Sequence, residues 1–261
     1  KRMGPENYAF FIGDDIFFSL DNIIFSPDKG YEEGYADHVL AFVENVMESV
    51  PEKSVVYVAQ HSPLAGRDVG KLIGNTDRML ELIAGHKAIF LSGHNHQSKS
   101  YTYGKAVLEF NIPSISGNVW ESYHCSDGTP RGYKVFTCKD GKLTWYYKAI
   151  GHDKDFQVEI HKPGQTWRHP NSVVANVWDW DPAWKVEYFE DGKKVCDMER
   201  FKAQDPLAKE LYKDPSSLKR SWVYAAPTEN MFKSAVSEGA KKLEVRVTDR
   251  FGRVYSKFIE K

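Results

Sequence analysis

Two short apolar runs with a helical segment between them constrain this chain more than any other feature. Ser54-Val55-Val56-Tyr57-Val58-Ala59 and Ala88-Ile89-Phe90-Leu91 are rich in the β-branched and aromatic residues that suit strands. Between them, Asn75–Gly85 sets Met79, Leu80 and Ile83 at helical spacing, with Thr76 the expected N-cap and Gly85 the stop. Strand, loop, helix, strand reads as a right-handed βαβ crossover, which makes the two strands parallel. Both then end at one edge of the sheet, in the crevice where open α/β sheets bind ligands.

Histidines cluster at that edge. His61 follows the first run, and Gly93-His94-Asn95-His96 follows the second. In an extended loop, residues i and i+2 project to one side, so the His94 and His96 rings can face one place. Neutral imidazole ligates zinc, iron, nickel and copper. Alone, the tetrapeptide reads equally well as two solvated loop histidines; His61 arriving from a distant part of the sequence makes a metal site the expected reading. Asn95 sits between two ligands, and Trp120 and Tyr123 lie in a loop able to close over the site, although large aromatics more commonly pack in cores. Asp21 and Asn22 fall near the same edge. His124 stands beside Cys125, but adjacent strand residues point to opposite faces, so they are not read as a metal pair. His38, His86, His152, His161 and His169 show no partner pattern and read as surface or capping residues. Arg67 and Arg131 are candidate phosphate contacts.

The rest of the chain is strand-rich. Tyr8–Ile12 and Ile16–Asn22 form a hairpin whose turn is Gly13-Asp14-Asp15, so these aspartates read as turn residues rather than ligands. Val39, Leu40, Val43, Val46, Met47 and Val50 trace one face of a helix. Strands are expected at 101–103, 105–111, 133–138, 143–149 and 156–160. Further ones are expected at 172–178, 184–189, 193–197, 242–248 and 254–260, with a short helix at 207–212. The 261 residues suit one large domain or two ordinary ones. A net charge of −1 gives no field to recruit nucleic acid or an anionic membrane. There is no run of transmembrane length, no Gly-x-Ser-x-Gly elbow, and Gly66–Lys71 falls one residue short of a phosphate-binding loop. The three cysteines lack metal-type spacing. The first residues carry no signal-peptide pattern and read as an arbitrary start.

Taken together, His61, the Gly93-His94-Asn95-His96 motif and the segments Asp127-Gly128-Thr129-Pro130-Arg131-Gly132-Tyr133, Trp145–Gly151, Asn176–Asp179 and Val247–Arg253 resemble a calcineurin-like metallophosphoesterase. The likeness is to the bacterial subgroup with its own C-terminal β-domain. It implies an α/β plus all-β chain: a partial metallophosphoesterase β-sandwich flanked by helices, then a small C-terminal β-sandwich. Residues 1–155 would be the C-terminal half of the phosphoesterase domain, 156–170 the boundary and 171–261 the β-sandwich domain. It also implies two divalent ions, zinc, iron or manganese, with His61 and His94 on one and His96 on the other. The ions would drive two-metal hydrolysis of a phosphorylated small molecule or a phosphodiester, in a periplasmic or secreted setting. The family's Asp-x-His, Gly-Asp-x-x-x-Asp and Gly-Asn-His motifs do not occur here. The proton-donating histidine and the carboxylate ligands are therefore expected in a missing N-terminal half, leaving no catalytic residue in this chain. Two alternatives stand beside this reading: a non-catalytic scaffold gripping carbohydrate or a protein with a residual histidine site, and a mononuclear zinc hydrolase.

Overall fold

Alternating burial along short strands organises both parts of the chain. The computed structural model describes residues 4–28, 30–66, 71–139, 142–166 and 168–260. Packing divides it into two compact units: residues up to Asn95 with Ser100–Ile112, and His96–Lys99 with Pro113 onward.

The first unit begins with the hairpin β1 (Tyr8–Ile12) and β2 (Asp15–Ser19), followed by a small separate hairpin, β3 (Ile23–Ser26) and β4 (Gly30–Glu33). Then come α1 (Asp37–Met47), β5 (Val55–Ala59), α2 (Thr76–Leu82), β6 (Lys87–Ser92), β7 (Lys99–Tyr103) and β8 (Val107–Asn111). The main sheet runs β1-β2-β5-β6-β8-β7, and β2, β5, β6 and β8 are parallel. The expected crossover is present. One face buries Ile16, Phe18, Val56, Val58, Ala88 and Phe90 against Val39 and Val43 of α1 and Met79 of α2. Truncating Phe90 there would cost about 3–5 kcal/mol. On the other face Phe10, Phe17 and Tyr57 stack in series, with Phe17 and Tyr57 centroids 4.4 Å apart.

One detail of α2 differs from expectation. Asn75, not Thr76, precedes the helix; it is left-handed (φ 60°) and donates its side-chain amide to Tyr35 O, while Thr76 Oγ1 turns back to Ile73 O. Asparagine tolerates that backbone, and a β-branched threonine does not.

The second unit is antiparallel throughout. Its strands are β9 (Gly132–Lys139), β10 (Lys142–Ala149), β11 (Glu159–His161), β12 (Ser172–Asn176), β13 (Lys185–Glu190), β14 (Lys193–Asp197) and β15 (Glu199–Gln204). After α3 (Pro206–Leu211) come β16 (Pro227–Ala235), β17 (Lys242–Thr248) and β18 (Val254–Glu260). Two four-stranded sheets, β11-β12-β16-β15 and β14-β13-β17-β18, bury Val173, Ala175 and Phe232 against Val186, Tyr188, Leu243, Val245 and Val247. This is the expected β-sandwich. The packing units differ from the expected intervals: residues 113–155 cluster with the C-terminal strands, and 156–170 carries β11, paired to β12.

Candidate functional site

The parallel strands deliver their C-terminal ends to one sheet edge, and four polar residues gather there: Asn22 after β2, His61 after β5, His94 after β6 and Asn111 at the end of β8. The wholly buried Asn22 is a clamp. Its Oδ1 accepts the His61 and Ser62 N–H groups (3.1 and 3.0 Å), and its Nδ2 donates to Ser62 O (2.7 Å). Gly93 N–H donates to His61 O (2.9 Å), and Asn111 Nδ2 donates to Gly93 O. The two histidine loops are thus tied together through backbone atoms, which fixes where the rings start. His94 and His96 both take left-handed backbone (φ 67° and 49°), at roughly 1–2 kcal/mol each.

His61 Nε2 and His94 Nδ1 lie 2.9 Å apart, and His94 Nε2 lies 2.9 Å from Glu33 Oε1. A carboxylate only accepts, so His94 carries its proton on Nε2, and Nδ1 is the nitrogen turned toward His61. Glu33 arrives on β4, and its strand end is sewn in place: Gly74 N–H donates to Glu33 O (3.0 Å) and Tyr35 N–H to Gly74 O (3.0 Å). Gly34 makes this approach, since a Cβ there would lie 2.8 Å from Gly74 O. Tyr31, also on β4, meets the His94 ring edge-on at 6.3 Å. An open cleft of about 500 Å³ lies beside Glu33, lined by Tyr31, Gly66, Lys71 and Ile73.

Two imidazole nitrogens on one ion at about 2.0–2.1 Å stand about 2.9 Å apart at a right angle and about 3.3 Å apart at the tetrahedral angle. The observed 2.9 Å is a hydrogen bond between the rings, His61 Nε2–H to His94 Nδ1, and it also lies within the range for two ligands of one ion, for which Glu33 would be the outer carboxylate. Among the described residues, no group of three or more His, Cys, Asp or Glu side chains is arranged to hold a metal ion.

A second buried carboxylate braces this edge from below. Glu109, fully buried on β8, accepts from Leu64 N–H (3.0 Å), Ser92 Oγ (2.9 Å) and Tyr103 OH (2.9 Å), so it anchors the loop that follows His61. Burial raises its pKa despite those three donors.

The remaining expected residues scatter. Asn95 Nδ2 donates to Gly66 O (3.2 Å) in the first unit. His96 belongs to the second unit, where Ser126 Oγ donates to its carbonyl (3.4 Å). Trp120 and Tyr123 are not core residues: they are 69% and 70% exposed. Arg131 lies 4.2 Å over the Tyr123 ring, and Arg67 lies outside the described residues. His161 corrects the surface reading: it is buried and pairs with Asp205 at 2.9 Å. Glu33 and Glu109 were missed from the sequence. Neither has a motif, and only the spacing of Gly34 and Gly74 around a chain crossing could have hinted at Glu33.

Two solved structures are similar to the chain at low identity. One is a dimetal phosphatase from Danio rerio: 13% identity, TM-score 0.29, covering 55% of this chain and 35% of that one. The other is a Staphylococcus aureus protein assigned as a 5′-nucleotidase, in complex with alpha-ketoglutarate: 16% identity, TM-score 0.31, covering 59% and 31%. The chain thus spans about a third of the length of each. No curated protein matches it. Residues 109–255, more than half the chain, match the family described as the C terminal of calcineurin-like phosphoesterase. The match extends from β8, at the end of the first packing unit, into β18. The chain belongs to the calcineurin-like phosphoesterases, and the greater part of it is their C-terminal portion.

Proposed function

We propose that this chain forms part of a metal-dependent phosphoesterase that hydrolyses phosphate mono- or diesters, with His61 and His94 sharing one divalent ion. The observation that carries the reading is the 2.9 Å nitrogen pair backed by Glu33. His96 is assigned to a second ion by its place in the motif; zinc and iron suit the imidazole donors, and manganese would call for carboxylate or water ligands beside them. When bound, such ions polarise phosphoryl oxygens and lower the pKa of a coordinated water.

The chain's own residues do the positioning. Glu33 holds the His94 Nε2 proton, which leaves the Nδ1 lone pair for the ion. Asn22 and the Gly93–His61 backbone bond keep both rings in register, so little freedom is lost on binding. Lys71, in the cleft beside Glu33, is the cation proposed to meet a phosphate oxygen. A periplasmic or secreted setting accompanies this reading and is checked by cell fractionation.

The test is metal titration by calorimetry, with hydrolysis of p-nitrophenyl phosphate and bis-p-nitrophenyl phosphate measured alongside. Wild type is expected to bind zinc or manganese, His61→Ala plus His94→Ala to lose that binding, and Glu33→Gln to weaken it about 10–100-fold. Unchanged metal binding in the double variant would overturn the assignment.

A further inference from the structure

A cleft of about 380 Å³ lies wholly within the second unit, between the connection from β11 to β12, strand β15 and the start of α3. That volume is in the range of sites that take small molecules. Its walls are fixed by bonds of their own. Gly164 N–H donates to Pro170 O (2.8 Å), His169 N–H donates to Thr166 O (3.1 Å), and the His169 ring meets Phe201 edge-on at 5.1 Å. Asp205 opens α3 by accepting the Ala208 N–H (3.0 Å), and His161 of β11 and Asn176 of β12 hold its other oxygen (2.9 and 3.1 Å).

Charge is sorted across these walls. Arg168, His169, Lys202 and Lys209 line the cleft, and among the described residues no aspartate or glutamate does. The acids carried by the surrounding elements are engaged with other cations: Glu199 with Lys233 (3.1 Å), Glu229 with Arg200 (3.0 Å), Glu210 with Lys213, and Asp205 with His161. Lys162, beside the same connection, adds a further positive charge. Lys202 on β15 and Lys209 on α3 have no ion-pair or hydrogen-bond partner among the described residues. Two uncommitted ammonium groups thus reach one space from separate elements, which suits a ligand with two phosphates.

The rest of the lining is of another kind. Phe201, Ala203, Pro206 and Pro227 are apolar. Gln165 and Gln204 each spend one end of the side-chain amide on backbone: Gln165 Oε1 accepts the Lys162 N–H (2.5 Å), and Gln204 Nε2 donates to Ala225 O (2.7 Å). A donor remains on Gln165 and an acceptor on Gln204. An apolar wall with one spare donor and one spare acceptor matches a flat heterocycle that carries both at its edge.

We propose that this cleft binds a nucleoside diphosphate, with its phosphates between Lys202 and Lys209 and its base against the apolar wall and the two glutamines. Inorganic pyrophosphate would leave that wall unused, and a neutral ligand would leave both ammonium groups uncompensated. The site is separate from the histidine edge, which belongs to the first unit.

Calorimetry on the metal-free full chain tests this, with ADP, pyrophosphate and adenosine titrated separately. ADP is expected to bind at least about tenfold more tightly than either fragment. Lys202→Ala and Lys209→Ala should each weaken ADP about tenfold, and Lys202→Arg should keep most of the affinity. Unfolding midpoints should not move, because both lysines are exposed. His61→Ala plus His94→Ala should bind ADP as wild type does, so failure here is separate from failure of the ion assignment. Absence of ADP binding at millimolar concentration would overturn the proposal, as would binding indifferent to both lysine variants. Pyrophosphate binding as tightly as ADP would overturn it too, since the cleft would then read charge alone. So would loss of ADP binding in the histidine double variant.

Discussion

Glu109 and Asp205 are buried carboxylates, one in each unit, and their surroundings push them in opposite directions. Burial raises Glu109, whose partners are neutral donors: a backbone N–H and two hydroxyls. Burial works against Asp205 as well. There His161, the Ala208 N–H at the start of α3 and the Asn176 amide together outweigh it, and the carboxyl titrates below its ordinary value. What separates the two is a cationic partner and a helix start, not depth. The signs differ accordingly. Asp205 lends stability that is present above the ordinary aspartate range and lost as pH falls through its depressed value. Glu109 holds its proton more tightly folded than unfolded, so its contribution is fullest at low pH and declines as pH rises past the ordinary glutamate range.

The sharpest way to break this contrast is Asp205→Ala, which strands buried His161 and uncaps α3. A loss of about 3–5 kcal/mol is expected in denaturant unfolding at pH 7, and a loss under 1 kcal/mol would dissolve the distinction. Asn22→Ala comes next. It leaves the His61 and Ser62 N–H groups without their buried acceptor, for about 2–4 kcal/mol, and the metal binding proposed for His61 and His94 should weaken with it because the His61 turn is no longer held.

Asp127 sharpens the comparison within the second unit. It is fully buried, accepts from Ser98 and Thr129 N–H groups (2.7 and 3.0 Å), and burial pushes it up to about 6. Stability should therefore decline as pH rises from the ordinary aspartate range to about 6. Asp127→Asn should flatten that decline while costing about 1–2 kcal/mol at low pH, where its amide faces an N–H donor. Equal pH slopes in the two proteins would assign the slope elsewhere. The smallest effect is expected for Glu109→Gln, within about 1 kcal/mol at pH 7, because the Tyr103 and Ser92 hydroxyls can rotate to suit an amide. A large loss would show that Glu109 needs its charge.

The regions that were legible in the sequence have a period. The β5–α2–β6 crossover announces itself through alternation, helical spacing and length, and those same patterns place His61 and His94 at one edge. The β3–β4 hairpin does not, because neither of its four-residue strands has a buried residue to write a pattern. Strand β15 is mostly exposed at a sheet edge, and β16 opens with a proline. Glu33 was illegible for a further reason. It reaches His94 only after a hairpin and a glycine crossing bring together positions 61 residues apart in sequence, and no local spacing encodes that. His161 was misread because its partner, Asp205, is 44 residues away.

The left-handed backbone at positions 94 and 96 has an evolutionary reading. Glycine or asparagine would sit there without the conformational cost that histidine bears. A lineage released from the need for imidazole should drift toward those two residues at both positions while β6 keeps its sequence. Descendants that keep histidine at 94 and 96 mark where the rings are still in use, and those carrying Gly-Gly-Asn-Asn or its kin mark where they have been let go.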